Sequence, residues 1–336
     1  MTRHHANISL FVPHAGCPHR CTFCDQRAIS GQNGRIGAQD VIRAVSTAAE
    51  SGADPENTEI AFFGGSFTAI PRDYMLELLD AAAPFVRSGA VRGIRCSTRP
   101  DAIDARTVAI LKSHGVTAVE LGAQSMSDRV LAMNRRGHTS ADVVNAAQLI
   151  KSAGLELGLQ MMTGLYGDDD PTCIETARKL TELAPATVRI YPTVVIEGTE
   201  LARLLKNGEY TAQTVDDAVS LCAELLPIFE NAGIRVIRLG LHSGGGVDGN
   251  FIAGAYHPAL GELVESEIML RAAKRYINDN NISGDITVYV APSSVSKMIG
   301  QRRRNITELK NIGVNARVRP DASISGRDFR IEQECI

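Results

Sequence analysis

Residues 60–86 read Ile-Ala-Phe-Phe-Gly-Gly-Ser-Phe-Thr-Ala-Ile-Pro-Arg-Asp-Tyr-Met-Leu-Glu-Leu-Leu-Asp-Ala-Ala-Ala-Pro-Phe-Val. The compact apolar run Ile60 to Phe63 predicts a buried strand, and Gly64-Gly65 ends it. From Met75 onward, Leu78, Leu79, Ala82, Ala83 and Val86 recur at three- and four-residue spacing, which predicts a helix with one apolar face. Upstream, Ile8 to Val12 is a short apolar strand followed by helical spacing at Val41, Ile42, Val45, Ala48 and Ala49. Downstream, Val91 to Cys96, Val116 to Leu121, Leu155 to Met162 and Thr187 to Val195 are strand candidates, each followed by helix character. Six strand-then-helix units require a parallel sheet, so the expected fold is α/β: a partial (β/α)6 TIM-like barrel over about residues 6–210.

A chain of 336 residues is long enough for such a barrel and a small appendage, with a sizeable core. Its 44% hydrophobic and 22% charged content excludes disordered and low-complexity classes. There is no apolar stretch of the roughly 18 residues a bilayer span needs, and no secretory start, so a cytoplasmic protein without membrane contact is expected. The domains expected are a barrel over 1–232, a linker and helical extension over 233–285, and a small α+β domain over 286–336. From residue 286 on, nine basic residues face five acidic ones, a net of +4, which leaves −7 for the first 285. A basic appendage on an acidic barrel fits contact with a polyanion.

In such barrels chemistry gathers at the C-terminal ends of the strands. The residues there are Cys17 to Cys24, Gly64-Gly65-Ser66, Ser97-Thr98-Arg99, Gln124-Ser125, Thr163-Gly164 and Tyr191-Pro192. Singly, each has an ordinary explanation as a turn or loop residue; only the set points to a site. Of seven cysteines, Cys96, Cys173, Cys222 and Cys335 are isolated and read as small buried hydrophobes. Cys17, Cys21 and Cys24 lie within eight residues, in Gly-Cys-Pro-His-Arg-Cys-Thr-Phe-Cys-Asp, the spacing of a loop wrapped around one metal centre. A structural zinc completed by His14 or His19 is one reading; an iron–sulfur cube with one iron left open is the other.

The CxxxCxxC spacing with Phe23 before the last cysteine resembles the signature of the radical S-adenosylmethionine superfamily. The resemblance implies a [4Fe-4S] cluster on Cys17, Cys21 and Cys24, with S-adenosylmethionine chelating the open iron. Reductive cleavage then releases a deoxyadenosyl radical, and an electron donor such as ferredoxin or flavodoxin is implied. Within that frame Gly64 and Gly65 let backbone carbonyls approach the cofactor's ammonium group, with Ser66 beside them. Arg136 pairs with its carboxylate, Phe23 faces adenine, and Thr98 and Gln124 bond ribose or carboxylate oxygens, with Gln160 and Tyr191 as further cofactor contacts.

Phe63–Pro71, Ser97–Asp101, Val119–Ser125, Arg136–Thr139 and Arg189–Thr199 also resemble the catalytic subunit of Elongator and its bacterial and archaeal relatives, which modify wobble uridine in tRNA. Ser97 departs from the glutamate common there, and 336 residues leave no room for that family's acetyltransferase-like domain, so the resemblance leaves carboxymethylation from acetyl-CoA open. The tail resembles a KH domain: strand Ile286 to Val290, helix to Ile299, loop Gly300-Gln-Arg-Arg303, helix with Asn305 and Leu309, strand Val314 to Val318. Gly300, Gln301, Arg302, Arg303 and Arg304 are the RNA-binding candidates, with Arg303 standing where the GXXG loop has its second glycine. The expected activity is radical modification of a tRNA or RNA nucleoside, uridine favoured. The alternatives are radical chemistry on a small molecule or peptide, and a metal-stabilised RNA-binding module without catalysis.

Overall fold

The computed structural model describes residues 6–12, 21–24, 34–241 and 247–333. These fall into two compact units, one of residues 1–214 with 225–256, the other of 215–224 with 257–336. The stretch 233–285, read from sequence as an extension, is therefore divided between them.

The first unit is built on strands β1 (Ala6–Val12), β2 (Thr58–Gly64), β3 (Gly93–Thr98), β4 (Val116–Gln124), β5 (Glu156–Thr163), β6 (Thr187–Pro192), β7 (Val194–Ile196), β8 (Arg235–Leu239) and β9 (Phe251–Gly254). The main sheet runs β1-β2-β3-β4-β5-β6-β8 with every neighbouring pair parallel. It curls into the half-barrel expected, but with seven strands rather than six. The seventh, Arg-Val-Ile-Arg-Leu, escapes a hydrophobicity reading because two of its five residues are arginines. The single strand predicted over Thr187 to Val195 is two: Thr193 donates its N–H and hydroxyl to the Thr163 carbonyl, at 2.9 and 2.6 Å, and the chain turns off into β7, which pairs antiparallel with β9.

Helices α1 (Ala38–Glu50), α2 (Arg72–Arg87), α3 (Ala105–Ser113), α4 (Asp128–Met133), α5 (Ser140–Ser152), α6 (Asp170–Glu182) and α7 (Glu200–Lys206) follow, and α8 (Val215–Asn231) is divided, its residues 215–224 belonging to the second unit. Helix α2 buries Met75, Leu78, Leu79, Ala82 and Ala83, the face its spacing predicts. Polar caps fix where several helices begin: Asp104, Ser127, Thr139, Asp169 and Thr199 each accept a backbone N–H of the first turn. Thr139 adds a capping box with Asp142, which holds the start of α5 and so the segment just before it, Arg136 to His138. Gly64 ends β2 at φ +109°, and a Cβ there would stand 2.5 Å from the Val12 carbonyl oxygen, so no side chain fits at that strand exit.

The second unit carries α9 (Leu260–Asp279), β10 (Gly284–Val290), α10 (Val295–Ile299), α11 (Arg304–Asn311), β11 (Val314–Pro320) and β12 (Phe329–Gln333). β10 is central, parallel to β11 and antiparallel to β12. Its core joins Met269 and Ala273 of α9 to Val288, Met298 and Leu309. The strand–helix–loop–helix–strand order is as predicted. β12 is an addition whose alternating charges conceal it. Among the described residues no helix is long and apolar enough to cross a membrane.

Candidate active site

Cys21 to Cys24 form a tight turn, closed by the Cys24 N–H on the Cys21 carbonyl at 3.2 Å. Thr22, inside it, is tied down from two sides. Its N–H and hydroxyl donate to the carbonyl and side-chain oxygen of Asn134, at 3.2 and 2.8 Å, and its carbonyl accepts the Leu201 N–H at 2.8 Å. Asn134 is wholly buried and donates its amide to the carbonyls of Val130 and Tyr166, which fixes the anchor itself. Phe23 packs against the apolar cluster of Val195, Leu201 and Tyr210. Cys21 is buried and Cys24 half-buried; Cys17, with His14 and His19, lies outside the described residues. Among the described residues no group of three or more metal-ligating side chains converges.

Arg136 links this turn to the exit of β4. Its Nη1 donates to the Cys21 sulfur at 3.3 Å and its Nη2 to the Gly122 carbonyl at 2.8 Å, while the buried Nε has no partner among the described residues. Arg99 donates to the Arg136 carbonyl and grips Asp101 with two bonds of 2.9 Å. His138 holds the next carbonyl, Ala123, through Nε2 at 3.1 Å. The strand is irregular here: a bulge separates Gly122 from Gln124, and Gln124 sits at φ +65°. That twist turns the Gln124 amide oxygen toward Gln160, whose Nε2 donates to it at 3.1 Å. A Cβ on Gly122 would be 2.8 Å from the Gln124 amide nitrogen, so glycine leaves room for it. An orphaned buried guanidinium nitrogen, a cation on a cysteine sulfur and a pair of amides fit a cluster on that sulfur and a ligand carboxylate beside it.

Burial, reinforced by the charge of Arg136, holds His138 at about 4, below its ordinary 6.5, so it is neutral at neutral pH. The unfolded chain then takes up this proton first. The stabilisation is present in full above about pH 6.5 and is lost as pH falls through 4. The expected result is that His138→Gln removes part of the fall in unfolding temperature that the wild type shows between those two values. Parallel pH profiles of the two proteins check it.

At the exits of β2 and β3, Ser66 and Thr98 share a 2.8 Å hydroxyl bond, Ser66 also accepts the Arg99 N–H at 3.1 Å, and Thr68 joins Thr98 at 2.6 Å. Gly65 donates to the Val12 carbonyl at 3.3 Å. The predicted residues 64, 65, 66 and 98 thus form one group, and 124, 136 and 160 another around Cys21. Tyr191 belongs to a third, on the inner face of the sheet. There Arg189 donates to Glu120 at 2.7 Å and contacts the Tyr191 hydroxyl at 3.2 Å, with Ser97 on the second Glu120 oxygen at 3.4 Å. Burial opposes the charge of Arg189, but Glu120 and Tyr191 together outweigh it and raise its pKa; burial also raises that of Tyr191. Glu120, Arg189, Asn134 and His138 were not singled out from sequence, though an acid and an arginine inside apolar strands were a visible signal.

In the second unit the loop between α10 and α11 exposes Gln301, Arg302, Arg303 and Arg304. Gly300, Arg302 and Arg303 all have positive φ, at +76°, +52° and +62°. Arg303 therefore adopts the left-handed conformation that a glycine at its position takes readily. Buried Asn305 fixes the loop's base by donating to the carbonyls of Ser266 and Lys297, both at 3.1 Å. A Cβ on Gly300 would stand 2.8 Å from its side-chain oxygen. Arg304 pairs with Asp216 at 2.8 Å.

The profile of the radical SAM superfamily matches residues 11–180, and that of a radical SAM C-terminal domain matches 185–269. The chain is 35% identical over 127 residues to a tRNA uridine(34) acetyltransferase of Methanocaldococcus jannaschii, a match covering 37% of this chain and 24% of that one. It is 31% identical over 197 residues to human Elongator complex protein 3, covering 53% and 36%. The matches thus span well under two thirds of these relatives' lengths. Among solved structures, the archaeal Elp3 of Methanocaldococcus infernus shares the fold, with a TM-score of 0.63 at 22% identity over 83% of this chain and 64% of that one. With half its length matched by the superfamily profile and its cysteine turn held against Arg136, the chain belongs to the radical SAM superfamily, enzymes of a [4Fe-4S] cluster and S-adenosylmethionine.

Proposed function

We propose that this radical SAM enzyme modifies a nucleoside of tRNA, a uridine by preference. The observation that carries the RNA part is the loop of Gln301 to Arg304, an exposed run of three arginines on a turn braced by buried Asn305. Kinship in part with tRNA uridine(34) acetyltransferases supports the choice of tRNA and of uridine. Sequence tolerance is expected of a phosphate-gripping loop, so the radical chemistry sets the product and the loop sets the polymer.

The cluster and S-adenosylmethionine supply, when bound, a deoxyadenosyl radical able to abstract hydrogen. The residues of this chain do the rest. Cys17, Cys21 and Cys24 hold the cluster, and the Asn134 and Leu201 bonds to Thr22 keep two of those sulfurs in place. Arg136 receives the cofactor carboxylate with Gln124 and Gln160 at its side. Gly64-Gly65 receives the ammonium group, and the Ser66–Thr98 hydroxyl pair keeps that backbone where it is. Phe23 and Tyr191 line the apolar and polar flanks. The target base leaves its stack to reach the barrel mouth. A small electron-transfer protein such as ferredoxin or flavodoxin serves as reductant, in the cytoplasm.

Arg302→Glu with Arg303→Glu is expected to weaken tRNA binding by at least about tenfold and to flatten its dependence on salt by about two counterions. Deoxyadenosine formation without tRNA should stay unchanged. Binding measured across a salt series checks the first, and nucleoside mass spectrometry of tRNA from cells with and without the protein identifies the product. Wild-type protein without salt-sensitive tRNA affinity removes the RNA reading and leaves the radical enzyme standing.

A further inference from the structure

Arg189 of β6 and Arg238 of β8 are register partners on adjacent parallel strands, so both side chains leave the same face of the sheet. That face is the inner one, because Arg189 bonds Glu120 across it. Like charges directly opposite on neighbouring strands repel unless something negative lies with them. Glu120 answers one of the two. Arg189 spends Nε on it at 2.7 Å and sets Nη1 against Tyr191. Among the described residues Arg238 donates only its Nε, to the Gly240 carbonyl at 2.8 Å, and no carboxylate lies within ion-pair distance of it. Burial lowers its pKa, which the neighbouring Arg189 furthers.

The other acids of the inner face do not fill the gap. Glu59 and Glu156 both lie beside Arg95, at 3.5 and 3.8 Å, toward the opposite end of the strands. Glu156 is four residues before Gln160, which shares the row of Arg189 and Arg238, so it is about 13 Å away along β5. The row itself runs Gly122–Gln160–Arg189–Arg238 in register. Its first two members belong to the group around Arg136, and its last lies three strands on, about 14 Å across the sheet.

We infer that Arg238, with Arg189 behind it, is the seat of a substrate oxyanion, a carboxylate or phosphate group, inside the half-barrel and separate from the carboxylate seat of S-adenosylmethionine. A cation left uncompensated among the described residues calls for one negative charge, and the planar guanidinium offers its two Nη nitrogens to two oxygens of one group. The site rests on the placement of the cofactor around Arg136 given above and is independent of the tRNA reading.

The test uses full-length, cluster-loaded protein saturated with S-adenosylmethionine, its unfolding midpoint followed against acetate, inorganic phosphate and uridine 5′-monophosphate. Chloride at matched ionic strength and neutral uridine are the controls. The expected result is a saturable rise in midpoint for the wild type. Arg238→Met should shift that curve to at least about tenfold higher anion, and Arg238→Lys should restore part of it, which separates a lost charge from a misfolded variant. A tighter response to the nucleotide than to acetate assigns the oxyanion to a nucleotide phosphate; an equal or weaker one assigns it to a small carboxylate. The proposal is overturned by a wild-type response no larger than that to chloride, by a response unchanged in Arg238→Met, or by one seen only without S-adenosylmethionine, which places the anion in the cofactor's own seat. Loss of tRNA binding in the Arg302 and Arg303 variant bears on none of these outcomes.

Discussion

Alanine at Cys24 leaves the reduced protein unable to form deoxyadenosine from S-adenosylmethionine. A partner bonding a metal ligand from outside is itself commonly worth 10- to 100-fold, so loss of a ligand should cost more than about 100-fold and take the rate below detection. The structure indicates that the effect will be chemical rather than a failure to fold. Cys24 is half-buried, and none of the bonds from Asn134 or Leu201 that anchor the turn ends on it. Iron and acid-labile sulfide should fall with activity, while the unfolding midpoint of cluster-free protein stays within a degree or two of the wild type. Cys21→Ala is expected to cost the same activity and more stability, since its sulfur is buried and takes a bond from Arg136 at 3.3 Å. Cys96→Ala serves as the control: fully buried, its thiol pushed up to about 12 by that burial, it lies within β3 and should change only packing. A Cys24→Ala protein that keeps its iron and its deoxyadenosine sinks the assignment of this turn to the cluster.

Much of this was legible before any coordinates. The strand Ile60 to Phe63 and the helix from Met75 announced themselves because one is buried on both faces and the other on one, and each has its own period. The cysteine turn was legible because thiolate spacing is local. What the sequence concealed depends on contacts between distant segments. Asn134 looks like a loop residue, yet it is wholly buried and holds Thr22 from 112 positions away. His138 carries no sequence signal of its own beside Arg136, although both grip consecutive carbonyls at the exit of β4. Strand β8 has a weak hydrophobic signal because Arg235 is exposed and Arg238 stands on the inner face, where hydrophobicity is a poor guide: the inner face of an open barrel is a polar binding surface, not a core. Gln124 shows the same limit at the backbone level, since a left-handed glutamine and the bulge before it are set by the neighbouring strand and by Gln160.

Arg189→Met should lower stability by about 3–5 kcal/mol, because it leaves Glu120 charged on the inner face without its partner. The two side chains are only 14% and 13% exposed and meet at 2.7 Å, so water cannot take over the role of the guanidinium cheaply. At about 1.4 °C per kcal/mol for a chain of this size, the unfolding midpoint falls by at least about 4 °C. Glu120→Gln costs less, since Arg189 keeps the Tyr191 hydroxyl at 3.2 Å and the face of Phe63. Joining the two changes removes both charges, and the double variant should be more stable than the sum of the singles by about 1–3 kcal/mol. Additive losses would show that the pair is solvated and unimportant to the fold. Activity should not recover with stability. Glu120 lies two residues before Gly122, whose carbonyl holds Arg136 at 2.8 Å, and Arg189 stands in the row that ends at Arg238. A neutral pair restores the side-chain contact that joins β4 to β6 across β5 but leaves Arg238 without the charged neighbour that makes this face selective for an anion. Unfolding measured beside deoxyadenosine formation in the four proteins separates the two consequences: the first quantity returns in the double variant and the second does not.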